Sequence, residues 1–204
     1  MAEPLVFLDV DTQADFMLPS GSLYVPHAEE IIPNLERLMA YARAQAIPVL
    51  SSADAHPPDD PSFREWPAHC VVGTPGQRRI QETQLPASIV VPNRAGAFLP
   101  PREWAGQTIV EKQEYDVSTN ANFDAILGSL GRRRWVVFGV ATEYCVRSSA
   151  LALRKRELAV DLVVDAIRPI TEEGGRNALE EMTAAGVRPV NVEMVCGSTL
   201  SQLF

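Results

Sequence analysis

The sequence predicts a three-layer, Rossmann-like α/β/α fold with a six-stranded parallel sheet. Six short apolar runs alternate with longer amphipathic or polar stretches. Strands that alternate with helices in this way form parallel sheets that are covered on both faces. The chain has 204 residues, of which 46% are hydrophobic. That composition suits one globular core, and we expect a single domain over residues 1–204.

Each strand is predicted from a short apolar run of the kind that is buried inside a sheet. The predicted strands are Leu5–Val10 and residues 47–51, 108–111, 135–140, 159–164 and 190–195. Helices are predicted over residues 27–45, from the turn after the fourth strand to roughly Arg156, and over residues 172–185. In the first helix, Ile31, Leu35 and Leu38 recur at helical spacing.

Residues 55–101 interrupt this alternation. The interval is rich in Pro, Asp and Gly, lacks strong periodicity and contains two of the three histidines. A long irregular segment inside a compact domain is usually either functional or mis-assigned. We leave open whether its end, residues 95–101, is a lid, a subunit contact or a plain loop.

The net charge argues against some binding partners, and the cysteine content bears on the cellular location. The formal net charge is −8, which argues against nucleic acid or an anionic membrane surface. No apolar stretch is long enough to span a bilayer, and the N-terminus lacks the basic start of a signal peptide. Three cysteines cannot all pair, so we expect free thiols and a cytoplasmic location.

Chemically reactive residues follow four of the predicted strands. Asp11 ends the first strand, Asp54 and His56 come just past the second, Lys112 ends the third, and Cys145 opens the helix after the fourth. In doubly wound sheets, sites form at the carboxyl ends of the strands. The sequence therefore predicts that these side chains gather at one edge of the sheet.

Cys145, Asp11 and Lys112 each have a structural and a catalytic interpretation. Near a helix N-terminus, Cys145 would be favoured as a thiolate and its neighbouring N–H groups could hold an oxyanion; as a lone free cysteine it would more often be a core residue. Asp11 could be a general base or a turn cap. Lys112 could be solvated, or it could stabilise both anions.

Asp54, His56 and His69 have the composition of a metal site. One carboxylate and two imidazoles suit a divalent ion such as zinc, iron or manganese, with open positions for water or substrate. The alternative is a pair of hydrogen-bonded loop histidines.

The order of these motifs resembles the isochorismatase-like cysteine hydrolases, and within them the nicotinamidases. The matching segments run over nearly the whole chain: D-T-Q-A-D-F at 11–16, D-A-H-P-P at 54–58, W-P-A-H-C-V-V-G-T-P-G at 66–76 and G-V-A-T-E-Y-C-V at 139–146. Singly, some of these motifs are weak; in one order they are specific. The resemblance implies hydrolysis of a small amide, with nicotinamide the first expectation, and an assembly of two or more copies.

The resemblance also implies roles for particular residues. Asp11, Lys112 and Cys145 would form a catalytic triad, and Asp54, His56 and His69 would hold one metal ion, first of all zinc. A cis Val140–Ala141 bond would direct the Ala141 and Cys145 N–H groups at one point as an oxyanion hole. Phe16 and Trp66 would flank an aromatic substrate ring.

Two departures from the nicotinamidase pattern bear on the substrate. Residues 115–123 differ from the D-S-Y-S-A-F-like segment that commonly follows the lysine, so the cavity wall differs. Ser62 stands where some nicotinamidases have a further residue near the metal, and Asp60 or Glu65 could substitute for it. The alternatives are a hydrolase of another small amide or carbamoyl compound, a vinyl-ether hydrolase, and a non-catalytic binding module.

Overall fold

The computed structural model, which describes residues 3–97, 100–101 and 104–197, contains a parallel sheet of seven strands in these ranges. Its spatial order is β3-β4-β2-β1-β5-β6-β7. The strands are β1 Leu5–Val10, β2 Val49–Asp54, β3 Ser88–Val91, β4 Gln107–Lys112, β5 Arg134–Val140, β6 Val160–Arg168 and β7 Arg188–Val190. The α-helices are α1 Ala14–Met17, α2 Ile32–Ala44, α3 Phe123–Leu130, α4 Arg147–Lys155, α5 Glu172–Ala184 and α6 Val192–Cys196.

Helices cover both faces of the sheet, as predicted. Successive side chains of a strand point to opposite faces. Along β1, Val6 and Leu8 join a core packed against α3, α4 and α5, whereas Phe7 joins a core packed against α2 and α6. No helix among the described residues is long and apolar enough to cross a membrane.

The prediction of six strands is wrong by one, because β3 lies inside the interval that was predicted to be irregular. Ser88–Val91 pairs only with β4 and forms an edge of the sheet. The apolar run of this strand, Ile89–Val91, is shorter than that of a central strand, and Val90 within it is exposed. Residues 98 and 99 of the same interval lie outside the described residues. The helix α3 was also not predicted.

The predicted strand at 190–195 is wrong in its position. The strand β7 ends at Val190, and Val192–Cys196 is a short helix. The Asn191 side chain accepts a hydrogen bond of 2.8 Å from the Met194 N–H and caps that helix. A short apolar run fits a strand or a buried helix equally well by periodicity, and here the cap decides.

The register of the sheet brings the predicted site residues to one edge. β2 pairs with β4 so that Asp54 lies opposite Lys112. β1 pairs with β5 so that Val10, just before Asp11, lies opposite Gly139. The loop after β2 returns to this edge, where residues His56 and Val71 form an isolated bridge.

Candidate active site

Four side chains from four segments meet at the carboxyl edge of the sheet. The Lys112 ammonium lies 2.8 Å from Asp11 Oδ2 and 3.6 Å from Cys145 Sγ, and it also contacts Asp54 Oδ1. Lys112 and Asp11 are 0% exposed and Cys145 is 7% exposed. A carboxylate oxygen of Asp11, a carboxylate oxygen of Asp54 and the Sγ atom of Cys145 lie within 4.8 Å of one another. Lys112 supplies the positive charge among them.

The groups around Lys112 control one another's protonation. Burial alone would lower the pKa of Lys112, but Asp11, Asp54 and Cys145 raise it well above its ordinary value, so Lys112 remains an ammonium. Burial raises the pKa of Asp11 above its ordinary 3.8, against the opposing effect of Lys112. Ser52 donates a hydrogen bond of 2.7 Å to Asp11 Oδ1. A buried carboxylate with increased proton affinity has the properties of a general base.

Cys145 lies in the turn that connects β5 to α4. Thr142–Val146 form one π-helical turn that continues into α4. The Val140–Ala141 peptide bond that precedes this turn is cis, as the family resemblance implies. This local geometry places the thiol beside Lys112 and at the edge of a cavity.

The helix start does not lower the pKa of Cys145 below its ordinary value, because burial has the larger effect. Burial raises the pKa of the Cys145 thiol well above its ordinary 9.0, and Asp11 and Asp54 add to that effect against the opposing charge of Lys112. A nucleophilic role for this thiol would require a base. Asp11 and Asp54 both share Lys112 with Cys145, but only Asp11 has a raised pKa, which makes it the better candidate base.

Asp54, His56 and His69 converge beside the Lys112 ammonium. Asp54 Oδ2 lies 3.6 Å from His56 Nε2 and 3.7 Å from His69 Nε2. All three residues are buried, and their ligand atoms lie within 4.8 Å of one another. These separations suit one shared ion at roughly 2.0–2.2 Å from each atom.

The partners of the two imidazoles leave both Nε2 atoms available to a metal ion. His56 Nδ1 lies 2.9 Å from Asp60 Oδ2, and His69 Nδ1 lies 2.7 Å from the Pro67 carbonyl oxygen. Because both partners are acceptors, each neutral ring carries its proton on Nδ1 and directs the Nε2 lone pair toward Asp54. The residues present therefore fit a divalent ion.

Electrostatics at this cluster favour positive charge. Burial opposes ionisation of Asp54, but the Lys112 ammonium and the two histidines hold its pKa well below the ordinary value. Burial likewise opposes protonation of His56, yet Asp54 and Asp60 raise its pKa. Of the two acidic residues considered near the metal, Asp60 orients His56, whereas Glu65 lines the cavity.

Gln13 is a site residue to which the sequence reasoning assigned no role. It is completely buried. Its Oε1 accepts a hydrogen bond of 2.7 Å from the Asp54 N–H, and its Nε2 donates to the carbonyl oxygens of Asp54 and Gln77 at 2.9 and 2.8 Å. Gln13 thereby fixes the end of β2 and the start of the metal-ligand loop.

A cavity of about 530 Å³ opens beside these groups. This volume lies in the range of small-molecule sites. Cys145 and the three candidate metal ligands line it, together with Ala141, Phe16 and Trp66. The Phe16 ring lies 5.4 Å from the His69 ring between centroids. The residues predicted for catalysis, oxyanion binding, ring contact and metal binding are therefore neighbours in space.

Comparison with known proteins agrees with this geometry. The model of the isochorismatase domain matches residues 5–194. The chain belongs to the isochorismatase family. Within this family, nicotinamidase from Escherichia coli (strain K12) is 30% identical over 206 residues, covering 90% of this chain and 92% of the relative.

Two further isochorismatase-family relatives point to the same subgroup. Nicotinamidase/pyrazinamidase from Mycobacterium tuberculosis is 30% identical over 203 residues, covering 93% of this chain and 97% of the relative. The crystal structure of pyrazinamidase from Pyrococcus horikoshii in complex with zinc is 32% identical, with a TM-score of 0.75, and covers 92% of this chain and 98% of that chain. The protein is a nicotinamidase-like hydrolase that acts on amide carbon–nitrogen bonds.

Proposed function

We propose that this protein hydrolyses nicotinamide to nicotinate and ammonia through a thioester on Cys145. The observation that carries the proposal is the contact of one buried ammonium, Lys112, with both Asp11 and Cys145 beside the cavity. These side chains supply a base, a compensating charge and a nucleophile. A binding module does not need all three. Similarity to nicotinamidases supports the choice of substrate.

Formation of the thioester uses the proton that Asp11 accepts. Asp11 takes the thiol proton while Sγ forms a bond to the amide carbon and the carbonyl π electrons move to oxygen. The Ala141 and Cys145 N–H groups receive that oxyanion. Collapse of the adduct breaks the carbon–nitrogen bond, Asp11 returns its proton to nitrogen, and ammonia leaves.

Hydrolysis of the thioester restores the enzyme. Water gives a proton to Asp11 while its oxygen attacks the thioester carbon. Collapse breaks the carbon–sulfur bond, the sulfur regains the proton from Asp11, and the acid leaves. Lys112 remains an ammonium throughout and stabilises whichever of Asp11 and Cys145 is anionic.

Asp54, His56 and His69 would hold a divalent ion, with zinc the first expectation and iron or manganese the alternatives. When bound, such an ion supplies a Lewis acid for the pyridine nitrogen and so orients the ring. Phe16 and Trp66 would contact the faces of that ring. Removal of the ion by a chelator is expected to lower nicotinamide turnover, and added zinc, manganese or iron to restore it. Full activity in a sample shown by elemental analysis to be metal-free would exclude this role.

The test is ammonia release from nicotinamide by the wild-type protein and by Cys145→Ala. The variant is expected to lose at least about 10⁴-fold in kcat while keeping its fold, because nucleophile removal disables the triad as a unit. Cys196→Ala is the matched control, since this half-exposed thiol lies in α6, outside the cavity lining. An active Cys145→Ala protein would refute the nucleophile assignment. Hydrolysis of carbamoyl compounds but not of nicotinamide would refute the substrate alone.

A further inference from the structure

Three aromatic side chains from separate segments form one wall of the cavity. Trp66 comes from the loop before His69, Tyr115 follows β4, and Tyr144 precedes Cys145. The Trp66 and Tyr144 rings meet edge to face, with centroids 5.3 Å apart and an interplanar angle of 89°. The Tyr115 and Tyr144 centroids are also 5.3 Å apart. The wall therefore connects the loop that carries His69, the segment after Lys112 and the turn that carries Cys145.

One hydrogen bond connects two of these segments. The Trp66 indole Nε1 donates to the Tyr115 hydroxyl over 3.0 Å. Because an indole has a single N–H donor, this is the one conventional hydrogen bond that the Trp66 side chain can donate. Tyr115 is 43% exposed, so burial alone does not fix its ring. The orientation of the Trp66 ring thus depends on the Tyr115 hydroxyl and on the edge of Tyr144.

We propose that Tyr115 is a positioning residue that holds Trp66 in the cavity wall and so sets affinity and ring-size selectivity for aromatic amides. This inference rests on the proposed function, because it concerns the same site. Tyr115 begins the 115–123 segment, where the chain departs from the common nicotinamidase pattern. A drug-sized cavity of about 530 Å³ exceeds the needs of one pyridine ring. With this spare volume, the position of the Trp66 ring would set how large a substrate ring can bind.

The inference predicts an effect on KM more than on kcat. No hydrogen bond or ion pair joins Tyr115 to Asp11, Lys112 or Cys145 in the described structure. Loss of its hydroxyl loosens the contact with the substrate ring in the ground state and the transition state alike. Such uniform loss of binding raises KM and leaves kcat unchanged.

A double-mutant cycle on Tyr115→Phe and Trp66→Phe tests this bond in the metal-loaded enzyme. Tyr115→Phe is expected to raise KM for nicotinamide roughly two- to fivefold, the effect of one hydrogen bond, with kcat little changed. The double variant should raise KM no more than the larger single change, because both remove the same bond. Tyr41→Phe, in α2 outside the cavity lining, is the hydroxyl-deletion control. Unchanged KM in Tyr115→Phe, or fully additive effects, would overturn the proposal.

Two further measurements separate this inference from the proposed function. In Tyr115→Phe, kcat/KM should shift toward a two-ring amide, quinoline-3-carboxamide, relative to nicotinamide; an unchanged ratio contradicts the selectivity role. Acrylamide quenching of tryptophan fluorescence needs no turnover and should increase in Tyr115→Phe but not in Tyr41→Phe. If the wild type fails to hydrolyse nicotinamide, the proposed function fails, while equal quenching of both variants would refute the positioning of Trp66.

Discussion

Replacement of Lys112 by methionine tests the buried charge cluster most directly. Methionine keeps a chain of similar shape but removes the ammonium that contacts Asp11, Asp54 and Cys145. Two buried carboxylates then face each other without that charge. Loss of one partner from a buried ion pair costs about 3–5 kcal/mol in the free energy of unfolding. We expect that loss for Lys112→Met, together with loss of turnover.

The loss in the free energy of unfolding of Lys112→Met should depend on pH, and the sign of that dependence can be predicted. In the wild type, burial already raises the pKa of Asp11, whereas Lys112 helps to hold the pKa of Asp54 below its ordinary value against the effect of burial. Without Lys112, the folded-state pKa of Asp11 rises further, and that of Asp54 rises above its value in the unfolded chain. A raised carboxyl pKa destabilises the fold above that pKa, where the unfolded chain releases its proton more readily. The deficit of Lys112→Met should therefore be largest at neutral pH and shrink as the pH falls through the raised values.

The chain offers a matched control, because its only other lysine is Lys155. Lys155 is exposed at the last residue of α4, and Lys155→Met should change the free energy of unfolding by less than about 0.5 kcal/mol. Equilibrium unfolding in urea, with equal m values, measures both variants. Equal, small losses for the two lysines would refute the interpretation that Asp11 and Asp54 are ionised around Lys112.

Two further predictions follow from Asp60 and Asp11. Asp60→Ala removes the acceptor that orients His56 and should weaken metal affinity about 10- to 100-fold, measured by chelator competition. Its exposed neighbour supplies the control Asp59→Ala, and equal affinities would contradict the orienting role. Burial raises the pKa of Asp11 above 3.8, so activity is present above the raised value and lost as pH falls through it. An acid limb of kcat/KM at or below 3.8 is the result that would exclude Asp11 as the base.

The position of the site could be predicted because it depends on where strands end. Leu5–Val10 and Arg134–Val140 are mostly apolar runs, so their carboxyl ends can be placed within a residue or so. Parallel strands then bring Asp11 and Cys145 to one edge. The contact between Asp54 and Lys112 is different, because it depends on the pairing of β2 with β4. Local sequence patterns do not predict which strands pair when those strands are far apart in the sequence.

The residues that orient the site were only partly predicted from the sequence: Asp60 was one of two acidic candidates near the metal, and Gln13 was assigned no role. Gln13 and Asp60 lie outside the helices and strands, in segments without periodicity, where a polar residue is ordinarily solvated. Their importance comes from the atoms that they meet, the backbone of Asp54 and the imidazole of His56. The short edge strand Ser88–Val91 and the helix Val192–Cys196 were missed for a related reason. Pairing with β4 determines the strand, and the Asn191 cap determines the helix.

Two opposing effects act on the pKa of Cys145, and their sizes show which one prevails. A helix N-terminus stabilises an adjacent anion by about 0.3–1 kcal/mol, whereas full burial can shift a pKa by as much as about 3–5 units. Burial therefore prevails, and with Asp11 and Asp54 it outweighs the opposing charge of Lys112. In the proposed mechanism, the thiol becomes reactive when Asp11 removes its proton, so that bond formation at sulfur is coupled to the base. The shared contact of Asp11 and Cys145 with Lys112 supports this proposed coupling of nucleophile and base.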